Sequence, residues 1–126
     1  MSFVLKQKQT YVWPVALLLP GDGGHREKST FDAEFKRLPQ SRLSEIGKLV
    51  RAADLAVKNG EEPEQEVDAQ MLAREMLVGW SGIVDDAGKD IPFSEAVLNQ
   101  LLDVPSVATQ IVQAFYESYE DAKRKN

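Results

Sequence analysis

Three carboxylates, Asp85, Asp86 and Asp90, crowd the single glycine Gly88 in the stretch Val-Asp-Asp-Ala-Gly-Lys-Asp. Such a cluster could ligate calcium. An EF-hand loop, however, places oxygen ligands at its first, third, fifth and twelfth positions and glycine at its sixth. Counted from Asp85, the third position is Ala87, the fifth is Lys89, and Gly88 stands at the fourth. A methyl group and an ammonium cannot replace carboxylates around a cation. The pattern predicts a solvated turn between Ile83-Val84 and Ile91-Pro92-Phe93, with Gly88 free to take positive φ.

A second glycine-rich stretch, Gly-Asp-Gly-Gly-His-Arg-Glu-Lys-Ser, ends in the Lys28-Ser29 pair of a phosphate-binding loop. That motif requires glycine six residues and one residue before its lysine, and counted back from Lys28 those places are held by Asp22 and Glu27. Glu27 would repel a phosphate, and an alternating segment follows where the anion-holding helix should begin. The stretch predicts a hairpin loop. His25, the one histidine, lies in it and has no partner set for nucleophilic or metal chemistry. The acidic run around Glu61, Glu62, Glu64 and Glu66 lacks the cleft and burial that raise a carboxyl pKa for acid–base work. No catalytic, cofactor-binding or metal-ligating residue is assigned, and a non-enzymatic role is expected.

Bulk properties narrow the classes further. The chain has 126 residues, 43 % hydrophobic and 28 % charged, with net charge −5 and no cysteine. An acidic balance argues against nucleic-acid binding, which needs a basic stripe. The basic cluster Lys123-Arg124-Lys125 fits a solvated helix end. Disulfides and thiolate metal sites are excluded. No signal-peptide pattern opens the sequence, and the longest apolar run, 15–19, is far too short for a bilayer. A soluble, cytosolic chain of one domain is expected, 1–38 a hairpin region and 40–126 a helical region.

Around these residues the elements follow from period and punctuation. Residues 11–19 are β-branched, aromatic and aliphatic, and 30–36 alternate with Phe31, Ala33 and Phe35 on one face. Two strands of about ten residues joined by the glycine-rich loop make a β-hairpin. Pro14 predicts an edge strand or a bulge. Leu43, Ile46, Val50, Ala53 and Val57 recur at helical spacing, with Ser41 or a neighbour as cap and Asn59-Gly60 as stop. Pro63 opens a second predicted helix, with the glutamates in its first turn and Val67, Met71, Leu72, Leu77, Val78 and Trp80 as its apolar face. Ser94 caps a third carrying Val97, Leu98, Leu101 and Leu102. Pro105 begins a fourth, running to about Lys123, with Val107, Ile111, Phe115 and Tyr119 along one stripe. The fold expected is α+β, mainly α: an N-terminal β-hairpin packed against about four α-helices.

Two aromatic groups invite a functional reading. Trp80 and Phe93 flank the acidic turn and are read as packing over helix ends, the alternative being a partner patch. Val112, Tyr116 and Tyr119 widen the last helix's stripe beyond a single inward seam, so this edge is the candidate partner or oligomer surface.

The chain resembles the tail assembly chaperones of long-tailed phages, the lambda-like and lambdoid siphophages. The resemblance rests on the order of "STFDAEFKRLP", "MLVGWSGIVDDAGKDIPFSEAVLNQLL" and "VATQIVQAFYES" before a terminal "RKN". Its most specific part is Gly79-Trp80 before the acid-glycine turn, with Ile91-Pro92-Phe93-Ser94 opening a helix. The resemblance implies a non-enzymatic chaperone that binds the tape measure protein, keeps it soluble and promotes tail-tube assembly around it. It also implies action in the host cytoplasm, absence from the mature virion, and often a longer frameshifted product that recruits the major tail protein. Homo-oligomers fit this picture, as do helix-in-groove contacts with a long helical partner. The competing readings are a small structural tail protein, such as a terminator or connector, and a peptide-binding adaptor.

Overall fold

The computed structural model describes residues 1–63 and 67–120. Strands β1 (Thr10–Pro20) and β2 (Arg26–Lys36) form the expected antiparallel hairpin, in register from Thr10 opposite Lys36 to Pro20 opposite Arg26. The alternation holds: Phe31, Ala33 and Phe35 are buried, as are Val15 and Leu17 on the paired strand. The loop is shorter than the polar run suggested. Arg26 to Ser29 belong to β2, and the turn closes through the Gly21 N–H, which donates to the His25 carbonyl at 2.8 Å. These strand residues are exposed on both faces, so no hydrophobic period marks them.

β1 is an edge strand, as Pro14 requires. The Leu18 N–H donates to Gln110 Oε1 at 2.8 Å, and its carbonyl accepts from Gln110 Nε2 at 2.9 Å. Backbone groups alternate between partner and open side along an antiparallel ladder. Leu18 faces away from β2, and so do Pro14 and Pro20, an even number of residues away. Their missing donors cost no ladder bond.

The largest departure from expectation is a third strand. Helix α2 (Ala69–Met76) runs directly into β3 (Leu77–Ser81), which pairs with the other side of β2 to give the order β1-β2-β3. Residues 77–80 were read as continuing the helical face. The register explains why. Phe35 opposes Leu77, Glu34 opposes Gly79 and Ala33 opposes Trp80, with a shift between Glu34 and Phe35 that leaves Val78 as an extra residue. This bulge puts Leu77 and Trp80, three apart, on the core-facing side, and three is also a helical spacing. On the outer side Gly79 lies under Glu34, whose Oε1 would stand 2.6 Å from a Cβ there. Thr10 Oγ1 donates to the other oxygen of Glu34 at 2.8 Å.

The remaining helices are α1 (Gln40–Lys58), α3 (Glu95–Asp103) and α4 (Val107–Glu117). Ser41 does not cap α1; Pro39 precedes it without a side-chain bond. Its stop is as expected. Gly60 at φ 74° lets its N–H reach the Val57 carbonyl while the Glu61 N–H reaches that of Ala56, a Schellman closure. α2 starts later than Pro63, and its cap is Asp68, which accepts from the Met71 N–H at 2.8 Å. Glu61 and Glu62 thus precede the helix, while Glu64 and Glu66 lie outside the described residues. Ser94 caps α3 through the Val97 N–H at 3.2 Å. α4 ends at Glu117, short of the expected Lys123, and Lys123, Arg124 and Lys125 are outside the described residues.

One face of the sheet meets α2 and α4, α3 packs on those two helices, and there the core lies. Phe35, Phe115, Met76, Leu77, Leu102 and Ile111 are all but inaccessible. Phe35 and Phe115 meet edge to face at 5.5 Å between ring centres. Truncating a buried aromatic costs about 3–5 kcal/mol. Phe115→Ala is accordingly expected to remove that much from the unfolding free energy in urea, a large share of what a domain of this size holds.

Candidate functional site

The acidic turn is built on itself. The Asp85 carboxylate accepts from the Ala87 and Lys89 N–H groups, each at 2.9 Å, and the Asp85 N–H donates to the Lys89 carbonyl. Gly88 takes φ 80°, as the turn reading requires, and Val84 bridges to Asp90. Among the described residues no group of three His, Asp or Glu side chains is arranged to hold a metal ion. His25 is exposed at the hairpin turn.

Trp80 lies on β3 rather than over a helix end. It is half-buried, donates Nε1–H to the Ile91 carbonyl at 2.8 Å and meets Phe93 at 4.7 Å. The indole therefore ties the loop after the acidic turn to the sheet, and Phe93 is its outer cover.

The edge of α4 divides among its three candidate residues. Val112 is half-buried against the core. Tyr116 is 39 % exposed and Tyr119 49 % exposed, and both rings stand against the buried Phe115 at 5.5 Å. They diverge from there. Tyr119 turns toward the sheet and meets Tyr11 at 5.9 Å. Tyr116 faces the side of Glu75; burial raises its hydroxyl pKa, and the Glu75 carboxylate adds to that. Tyr11 is pinned more firmly. Arg37 lies over its ring at 4.8 Å, and its hydroxyl meets Ser118 Oγ at 2.7 Å. Ser118 Oγ donates to the Phe115 carbonyl at 2.6 Å, so the Tyr11 hydroxyl is the donor to Ser118. Burial pushes the Tyr11 hydroxyl up to about 12.

α1 carries the surface that the sequence concealed. Its apolar residues recur at helical spacing, yet Ile46 is its one buried residue. The N-terminal half is anchored by Arg42, which donates Nε–H and Nη2–H to the two oxygens of Glu75, each at 2.7 Å, and also pairs with Glu45. The paired guanidinium holds Glu75 below the usual carboxylate range. Beyond Ile46 the helix leaves the core. Leu55 is 60 % and Val57 68 % exposed, with Val50 also open to solvent. Leu49, Ala53 and Ala56 floor a groove of about 500 Å³ that the chain closes on its far side with Glu61, Glu62 and Pro63. A stripe of period 3.6 tells that a helix is covered on one side; it does not tell by what.

Two measurements check these placements. The folded pKa of Tyr11 stands above its ordinary value of 10.0. The stability linked to the neutral phenol is therefore complete below pH 10 and is lost as pH rises from 10 toward 12. Denaturant unfolding across that interval should show a steeper decline for the parent chain than for Tyr11→Phe. Trp80→Phe removes one hydrogen bond and leaves the Ile91 carbonyl without its partner. A loss of about 1–2 kcal/mol in unfolding free energy is expected. The parent chain should melt at one temperature in calcium and in chelator, as should the chain with Asp85, Asp86 and Asp90 all changed to asparagine; a rise in calcium for the parent alone overturns the turn reading.

No curated protein and no solved structure matches the chain. The family described as YdaY prophage protein matches residues 33–125, from the middle of β2 to beyond α4. That span holds β3, the helices α1 to α4, the α1 groove and the α4 edge. The chain belongs to the YdaY prophage protein family.

Proposed function

We infer that the chain is a non-enzymatic assembly chaperone of a phage tail, binding the tape measure protein, holding it soluble and promoting tail-tube growth around it. The observation that carries this reading is the outer half of α1. A helix anchored at one end by Arg42 and Glu75, with Leu55, Val57 and the groove floor left open, offers an apolar seat to another helix. A tape measure protein is a long helical chain and supplies such helices in number. Membership of a prophage family supports the setting, and the ordered resemblance of residues 29–126 to tail chaperones supports the role.

The α4 edge is the second contact in this reading. Tyr116 stands there half open over Phe115, an amphipathic aromatic of the kind that anchors interfaces. The chaperone acts in the host cytoplasm before the particle is complete, and a longer product extending past α4 would bring in the major tail protein.

Co-expression tests the proposal. The tape measure protein, insoluble alone, is expected to become soluble and to co-purify with this chain. Leu55→Asp with Val57→Asp replaces exposed side chains, so the fold should keep its melting temperature while the soluble tape measure fraction falls at least fivefold. Tyr116→Asp should lower it less. A tape measure protein that stays insoluble beside the parent chain, or detection of this chain in purified virions at stoichiometric level, overturns the reading.

A further inference from the structure

Residues 1–9 precede β1 without secondary structure, and every one is exposed. Phe3, Val4 and Leu5 stand together in solvent, Phe3 at 76 % and Leu5 at 88 % exposure. Single exposed apolar side chains are ordinary; three in succession on an extended arm are not. Lys6 and Lys8 follow them. The root of this arm is fixed, because the Arg37 N–H donates to the Gln9 carbonyl at 2.8 Å at the end of the hairpin ladder. Its root lies beside the start of α1, yet among the described residues none of the arm is buried against the rest of the chain.

We propose that the arm of one copy seats in the α1 groove of a second copy, and reciprocally, so that self-association covers the groove until a helical partner displaces it. This rests on the groove being the partner seat. Length and charge both fit. Residues 3–8 extended span about 20 Å, and α1 from Leu49 to Asn59 rises about 15 Å. The apolar trio matches the floor of Leu49, Ala53 and Ala56, and Lys6 and Lys8 then meet the carboxylates of Glu61 and Glu62 at the rim. A reciprocal exchange is closed and twofold, filling each groove once and leaving no arm for further growth. Each copy thereby shields the other's apolar seat in the absence of the tape measure protein.

Sedimentation equilibrium of the purified chain alone tests the exchange. The parent is expected to dimerise at micromolar concentration, more weakly as salt rises. Phe3→Ser with Leu5→Ser should be monomeric with unchanged unfolding, because both side chains are largely exposed. Leu55→Asp should also be monomeric. An equimolar mixture of the arm variant and the groove variant should recover a dimer, since one intact arm and one intact groove remain between them. A parent that is monomeric throughout, an arm variant that dimerises like the parent, or a mixture that stays monomeric overturns the proposal. The two readings fail separately. Loss of the dimer in Leu55→Asp with the tape measure protein still soluble defeats the groove as its seat. A monomeric parent that solubilises the tape measure protein defeats only the exchange.

Discussion

The contact of Phe35 with Phe115 holds the two halves of the molecule in one arrangement. Phe35 lies on the central strand, so it is fixed from both sides by ladders, and Phe115 closes the buried stripe of α4 at its C-terminal end. Edge-to-face geometry requires the positive rim of one ring on the face of the other, which leaves little freedom in how the helix crosses the sheet. Tyr11, Tyr116 and Tyr119 gather around this pair. The Gln110 clamp on Leu18 repeats the attachment of α4 to β1 at a second point, in hydrogen bonds instead of rings. With α4 fixed, α2 and α3 have a wall to pack against, and Met76 can hand the chain to β3.

Local rules were readable in the amino-acid sequence, and non-local ones were not. Phe31, Ala33 and Phe35 announced their strand because one face is dry and the other wet. Ser94 and the Asn59-Gly60 pair marked helix ends because capping involves only residues within one turn. The acidic turn was legible for the same reason, Asp85 satisfying its own neighbours. β3 was hidden because the bulge at Val78 set Leu77 and Trp80 three apart, and the need for a strand there comes from β2, more than forty residues earlier. Arg26 to Ser29 were hidden because a strand wet on both faces has no period to show.

The candidate surface illustrates the same limit. Val112, Tyr116 and Tyr119 were singled out because their stripe is wider than one seam, and the structure places them on three different terms: against the core, half open over Phe115, and against Tyr11. α1 gave no such warning. Leu43, Ile46, Val50, Ala53 and Val57 make as good an inward stripe as any core helix, and only the path of the chain shows that half of it faces nothing among the described residues. A burial pattern states that cover is required; it is silent on whether the cover belongs to the same chain. That distinction is what turns a packing stripe into an interaction surface.

Gln110 on the open side of β1 has a consequence of its own. A row of unpaired N–H and C=O groups is a template on which another strand can grow, and successive strands on such a template make fibrils. Here two prolines withhold donors on that row, and a side-chain amide fills the gap between them as a neighbouring strand would. The open edge of the sheet is thus closed to the cross-β route, and association of this chain is steered toward side-chain contacts that can be undone.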